Sequence, residues 1–439
     1  MKRLLVLALI GLTLGSWGLA RPLEIWQNIT FSPTFNEALS AMVREWAAET
    51  GTEVNLVTLP DRVFNEQLLH AIETRVTPDL ALVAEFGDAL AHAAGLLAPV
   101  DDVVERLGRD NFWPAALTAM YLPDPETGEN RIFGLPILME PFYWHIRTDL
   151  LEQAGIQIPE HPTWEWLLEA AKAVHNPPHV YGLPITLGVG MDTPTMLYYF
   201  VALYGGGFVT EISPTGADIF NTEPTWRLFD DLKQWWRDGL IPRDSVAWGD
   251  IDNNIAFMEG RAFAIHNPTT VLATMIAQNH PLLPVTGVIN IPPVIEAKES
   301  VMVFRSTPER EALAQDLLYH ILSDAERLRI EISDNAGMYG LPLFKSQGDI
   351  VSQMIRDRVG VYKHALHDLV EPIRRGEFYM WCNTIPFPYG QAHPAWEAIW
   401  GAGEIPRFLS RLVLEDVDSR AMAAEMAAWM NSILARWAE

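Results

Sequence analysis

An α/β protein of two domains, each built on a mostly parallel sheet flanked by helices, is what this sequence predicts, and three observations carry the expectation. Strand patterns and amphipathic-helix patterns alternate along the chain, which implies crossover connections and parallel strands. Its 439 residues exceed what a single core usually organises. An apolar fraction of 49% with 16 Trp excludes a fibrous or disordered chain.

Taken in order, the chain opens on a pattern expected of a cleaved export signal at residues 1–20. Lys2 and Arg3 supply the positive start, residues 4–14 an apolar run too short to span a bilayer, and Gly18-Leu19-Ala20 a small-x-small cleavage site. A strand over 23–26 follows, then a helix over 35–50 that Gly51 ends. Leu39, Met42, Val43 and Trp46 fall at the spacing that lays one face of this helix on a sheet. A second strand is expected at 54–59, a second helix at 64–74 and a third strand at 79–84. Ligands of parallel α/β sheets sit at the carboxyl ends of the strands, here Trp26-Gln27-Asn28 and Val83-Ala84-Glu85.

The formal charge is −25, and loss of Lys2 and Arg3 with the signal makes it −27. Such a surface repels phosphate backbones and anionic lipid, so nucleic acid is not an expected partner; the acidity serves solubility. Cys382 is the single cysteine, so no intramolecular disulfide can form and stability must come from core burial. No Cys follows the cleavage site to take a lipid anchor. The expectation is a freely diffusing monomer, most simply in a bacterial periplasm.

Several motifs then follow one another in a characteristic order. They are Thr50-Gly51-Thr52-Glu53-Val54, Thr77-Pro78-Asp79-Leu80, Gly95-Leu96-Leu97-Ala98-Pro99-Val100-Asp101 and Phe133-Gly134-Leu135-Pro136, and then Pro162-Thr163-Trp164-Glu165-Trp166-Leu167. Gly205-Gly206-Gly207, Trp248-Gly249-Asp250, the stretch from Phe257 to Phe263 and Gly340-Leu341-Pro342 continue the series. In this order they resemble the family 1 extracellular solute-binding proteins, the maltose-binding-like carbohydrate receptors of ABC importers. The resemblance implies a two-lobe periplasmic-binding-protein fold whose lobes are joined by crossover hinge strands. It places the first lobe at 21–138 and 300–338 and the second at 139–299 and 339–439. The crossings are expected near 138–143, 298–303 and 338–342. Where many members read Tyr-Asn-Lys-Asp, this chain reads Ile146-Arg147-Thr148-Asp149, so no ligand contact is carried onto Ile146 or Arg147.

Sugar recognition needs aromatic platforms for C–H faces and side chains that each make several hydrogen bonds with hydroxyls. Trp26 and Asn28 offer both at a strand end, core packing being the other reading of Trp26. Glu85 is either a hydroxyl acceptor or an acidic residue at a helix start. Glu140 interrupts the apolar run 133–144 at the first crossing and matches a ligand-contacting Glu of maltose-binding relatives; the other reading is a buried Glu paired with an Arg. In the second lobe Asp192 is the charged residue of the loop 188–195, Trp248 belongs to a family motif, and Asn267 falls at a turn on the cleft wall. His266 beside it reads as a structural hydrogen bonder. The stretch 381–396 places Trp381, Tyr389 and Trp396 among Pro, Gly and amides, and Trp396 matches a sugar-stacking aromatic of the relatives.

Enzyme motifs are lacking: there is no Gly-x-Ser-x-Gly, no His-Glu-x-x-His, and Gly205-Gly206-Gly207 lacks the Lys and Ser/Thr of a phosphate loop. Clustered His or Cys for a metal are absent from the sequence, and no cofactor is expected. The function expected is capture of a sugar or oligosaccharide by lobe closure and its delivery to the permease subunits of an ABC importer. Two alternatives stand beside it. One is a receptor for a glycerol phosphate diester or polyol phosphate, for which Arg147, Arg261 or Arg374 would be needed; the other is a secreted carbohydrate-active enzyme.

Overall fold

The computed structural model describes residues 21–207, 209–292, 294–323, 343–347, 378–380, 391–401 and 403–438. The export pattern at 1–20, Trp381, Cys382 and Tyr389 lie outside them.

β1 (Leu23–Ile29) pairs in parallel with β2 (Val54–Pro60), Leu23 opposite Val54, and on its other side with β3 (Leu80–Ala84). Between β1 and β2 the chain crosses over through α1 (Pro33–Thr50). Ser32 caps this helix by accepting from the Phe35 amide, and Gly51 ends it at a positive φ of 69° that a side chain would resist. Phe35, Leu39, Met42, Val43 and Trp46 form its buried stripe. Gln27 faces the same helix, donating to Asn36 O and accepting from Ser40 Oγ. Alternation along β1 therefore turns Asn28 to the opposite face, where α2 (Asp61–Thr74) lies.

β10 (Val294–Val303) runs antiparallel to β3 and to β6 (Leu135–Pro141) and parallel to β11 (Phe378–Met380), which makes the first sheet mixed. The hairpin of β4 (Tyr121–Pro123) and β5 (Asn130–Ile132) stands apart from it. α3 (Asp88–Ala93), α4 (Asp101–Leu107), α5 (Pro114–Thr118) and α12 (Pro308–Ser323) complete this lobe. Trp46 Nε1 donating to Asp316 ties α12 to α1.

The second lobe departs from the parallel arrangement expected of it. Its described sheet sets β7 (Tyr143–Arg147) between β8 (Ala264–Asn267) and β9 (Thr286–Ile289), antiparallel to both. β7 continues directly from β6 across the hinge, so it enters the second lobe from the side facing the first. Much of this lobe's buried apolar surface lies on helices packed around that small sheet and on one another. They are α6 (Thr148–Ala154), α7 (Trp164–Val174), α8 (Asp192–Leu203), α9 (Glu223–Arg237), α10 (Asp252–Met258) and α11 (Thr270–Ala277), with α13 (Pro394–Gly401), α14 (Glu404–Leu414) and α15 (Ser419–Leu434).

The first change of sheet falls between Pro141 and Tyr143. The second falls between Ile289 and Val294, several residues before the 298–303 expected, because β10 is already paired with β6 from Glu296. Residues 343–347 pack on the first lobe, where Phe344 bridges Phe112, rather than on the second as the expected boundary at 339 has it. Ala392 still bonds Ala119 of the first lobe, and from α13 onward the chain belongs to the second.

Candidate ligand-binding cleft

Between the lobes lies a cleft of about 1000 Å3, at the large end of the roughly 300–1,000 Å3 usual for ligand sites. One wall is α2, the turn Glu85-Phe86, and Leu90 and Ala93 of α3; the other is formed by the loop Val189-Gly190-Met191, by Gly249 and Asp250, and by α13 with Trp437. Helix geometry decides which residues of α2 face it. Phe64, Leu68 and Ala71 go into the core, while Asp61, Asn65 and Leu69, each four residues from the last, form the stripe beside it that lines the cleft.

The polar end of the cleft begins where β1 and β2 end. Asn28 is 2% exposed, and its Nδ2 donates to Asp61 Oδ1 at 2.9 Å; Asn65 Nδ2 donates to the same oxygen at 3.0 Å. The buried Oδ1 atoms of Asn28 and Asn65 meet no donor among the described residues, nor does the buried Oε2 of Glu85. Glu85 follows a bend in β3. Val83, a β-branched residue, takes φ 64° beside a register shift between β10 and β3, a conformation costing of order 1–3 kcal/mol that persists because the surrounding core is fixed. Burial, then the charges of Asp61, Asp250, Glu299 and Asp192, push the Glu85 carboxyl well above the usual carboxylate range. Burial likewise raises Asp61.

The opposite wall is built on a second polar group. Asp192 opens α8; its backbone N–H donates to Asp250 Oδ1 at 2.9 Å, and its Oδ2 accepts from Asn253 Nδ2 at 2.7 Å. Asn267 is buried at the end of β8, its side-chain amide 3.1 Å from both Asp192 Oδ2 and Asn253 Oδ1. Burial and the Asp250 charge push Asp192 well up, and burial brings Asp250 to about 6. A Cβ on Gly190 would fall on the Asp250 carboxylate, and one on Gly188 on the Trp248 backbone, so both glycines are required for this close approach. His145 and His266 behind the wall are buried and kept neutral, each lowered to about 3 by desolvation.

The walls also touch. Glu397 of α13 accepts from the backbone N–H of Gly87 and, at 2.9 Å, from that of Leu90, two free donors at the start of α3 in the other lobe.

Of the candidates named from sequence, the structure brings Glu85 to the lining of this cleft, with Asn28 buried behind the first wall under Asp61 and with Asp192 and Asn267 behind the second. Trp396 is placed elsewhere: it is 0% exposed, packed edge-on against Tyr198 at 5.2 Å and beside Trp400 in the core of the second lobe. Apolar spacing on α13 sends position 396 inward; Trp400, one turn on along the same face, is in the same core at 2% exposed and is the one of the two that also borders the cleft. Trp248 is likewise a core residue, its motif neighbour Asp250 being the one that lines the cleft. Trp26 is half-buried against the cluster under α2, with Nε1 donating to Glu24 at 3.1 Å, and does not line the cleft. Glu140 stands on β6 opposite Ala297, one residue before the end of the strand at the hinge.

Asp61, Asn65, Asp250 and Glu397 escaped the sequence reading. The i, i+4, i+8 spacing of Asp61, Asn65 and Leu69, starting one residue past a strand end, was the available signal.

Among the described residues no helix is long and apolar enough to cross a membrane, and no group of three or more His, Cys, Asp or Glu is placed to hold a metal ion. The family described as bacterial extracellular solute-binding protein matches residues 41–331. A mannitol-binding protein of Pseudomonas aeruginosa is 28% identical over 122 residues, 28% of this chain and 27% of that protein, so the match spans about a quarter of the relative's length. Solved structures share the architecture over nearly the whole chain. A solute-binding protein of Thermotoga lettingae bound to α-D-tagatose has a TM-score of 0.75 at 16% identity, covering 94% of this chain and 100% of that one. A sugar transporter protein of Arthrobacter chlorophenolicus with laminaribiose gives 0.73 at 17%, covering 94% and 99%. An Agrobacterium radiobacter solute-binding protein with ribitol gives 0.73 at 15%, covering 94% and 100%.

Proposed function

Because this chain belongs to the bacterial extracellular solute-binding proteins, we propose that it is the capture component of an ABC importer for a sugar or sugar alcohol. One observation carries the reading: polar side chains of two lobes converge on a single inter-lobe cleft that also offers apolar and aromatic surface. A polyhydroxylated ligand fits such a site, with hydroxyls on Glu85, Asp61, Asn65 and Asp250 and its C–H faces toward Leu69, Phe86 and Trp400. The ligands named for the similar proteins, mannitol, α-D-tagatose, laminaribiose and ribitol, are all of this class.

Capture proceeds by closure. Only the closed arrangement satisfies both walls, and moving the population from 1:99 to 99:1 takes roughly 5.5 kcal/mol of differential binding. Asp192 and Asn267 act by fixing Asp250. Glu140, at the hinge, is a further candidate for contact from the base of the cleft. The protein works as a monomer in the periplasm after removal of residues 1–20 and hands its ligand to membrane permease subunits.

The phosphate alternative is less well supported. Arg147 is engaged by Asp149 and Arg261 by Glu259, Arg374 lies outside the described residues, and the cleft lining is mainly acidic, with Arg75 as its described cation. Thermal-shift measurements over neutral mono-, di- and trisaccharides and alditols test the reading. A ligand should raise the melting temperature and be recovered unchanged; a shift confined to phosphorylated compounds, or turnover, would overturn it.

A further inference from the structure

At the polar end of the cleft the described side chains offer acceptors almost alone. Asn65 on the cleft and Asn28 buried behind it both turn their N–H2 groups to one oxygen of Asp61, so neither amide offers a donor to the cleft, and the buried Oδ1 of Asn65 meets no donor among the described residues. Buried Glu85 Oε2 is a second such atom, and Asp250 faces them from the other lobe, one of its oxygens held by the Asp192 amide. Arg75 closes the far end of α2, about 20 Å from Asp61 at 1.5 Å per residue, too far to serve this group.

A neutral hydroxyl brings one donor and two acceptor lone pairs, whereas an ammonium brings three donors and no acceptor. Closing the lobes over a neutral ligand would also bring carboxyls of both walls together, and their repulsion would then be offset only by taking up protons. Phosphate would meet that repulsion outright.

We propose that the ligand is a polyhydroxylated molecule bearing a protonated amine, an amino sugar or amino alditol, whose ammonium is held between Glu85 and Asp61 of the first lobe and Asp250 of the second. The inference rests on the receptor reading and narrows its ligand class. The raised carboxyls of Glu85 and Asp250 agree with it, since burial and mutual repulsion disfavour their ionised forms and a bound cation would favour them again.

The test uses matched ligands that differ at one group. Binding of 1-amino-1-deoxy-D-sorbitol is compared with that of D-sorbitol, and D-glucosamine with D-glucose and N-acetyl-D-glucosamine, by titration calorimetry near neutral pH. The amine member of each set should bind at least roughly tenfold more tightly, and N-acetylation, which keeps the nitrogen and removes its charge, should abolish the gain. Glu85→Gln and Asp250→Asn should each lower the amine-to-hydroxyl ratio severalfold; the ratio is the readout, so a general loss of affinity does not mimic the effect. Neutral members that bind as well as the amines, or a neutral saccharide from the wider panel that binds while every amine fails, would overturn this proposal and leave the receptor reading standing. Absence of binding by every compound would retire both.

Discussion

Asp250 shows how one residue joins recognition to stability. Its carboxyl is raised to about 6 by burial, and Asp192, Asp61, Glu85 and Asp252 are the acidic groups around it. A carboxyl raised in the folded state binds protons that the unfolded chain, at an ordinary value of 3.8, has released. Its contribution is therefore destabilising above the folded value and absent below the unfolded one. Asp250→Asn should be more stable than the parent by about 1–2 kcal/mol near neutral pH, and the two melting curves should converge as pH falls toward 4. A constant difference across that range would show that Asp250 is not held at this cost. Trp396 gives the contrasting case. A fully buried indole removed from the second core leaves a cavity, so Trp396→Ala should cost about 3–5 kcal/mol in denaturant unfolding. Loss of ligand affinity with stability retained would instead put the ring in the cleft.

At the scale of elements the cleft depends on two close fits. Residues 188–190 lie against 248–250 so tightly that Gly190→Ala must displace the loop or the Asp250 carboxylate. We expect it to fold, to keep its circular dichroism spectrum, and to lose at least roughly tenfold in affinity, the effect of about 1.4 kcal/mol. The second fit is α13 against α3. Glu397→Gln keeps the shape but weakens charge-assisted bonds that span the lobes, by about 1–2 kcal/mol. Small-angle scattering of the unliganded variant should then show a larger radius of gyration than the parent, and an unchanged radius would mean that these bonds do not bias the lobes. The strand and helix series through residue 84 was legible because each element carries its own period and punctuation, as at Ser32 and Gly51 around α1. The cleft face of α2 was less so: Asp61 and Asn65 look like any polar residues of a surface helix until the second lobe is set opposite them.

For the whole molecule, lobe closure predicts coupled readouts. A saturating ligand should compact the protein in solution, and the melting temperature should rise with the logarithm of free ligand beyond its dissociation constant. Compaction without thermal stabilisation, or the reverse, would separate closure from binding and count against capture by closure. His145 and His266 set a limit on the acid side. Both are buried and lowered to about 3, so the stability their neutral forms contribute is full above the ordinary value of 6.5 and is lost as pH falls toward 3.

Local patterns along the chain specify the α/β class, the order of elements in the first lobe, two domains and the strand ends at which Asn28 and Glu85 stand. These follow from local periodicity, capping and length, which act within a few residues of one another. Packing between distant segments sets β7 antiparallel to both neighbours, returns the chain to the first sheet by Val294, buries Trp396 and Trp248 in cores, and brings Asp250 and the largely buried Trp400 to the border of the cleft. A tryptophan or a carboxylate has the same local pattern on either side of its helix or loop. Which side faces a ligand is fixed only when a second lobe, distant in the chain, closes the space around it.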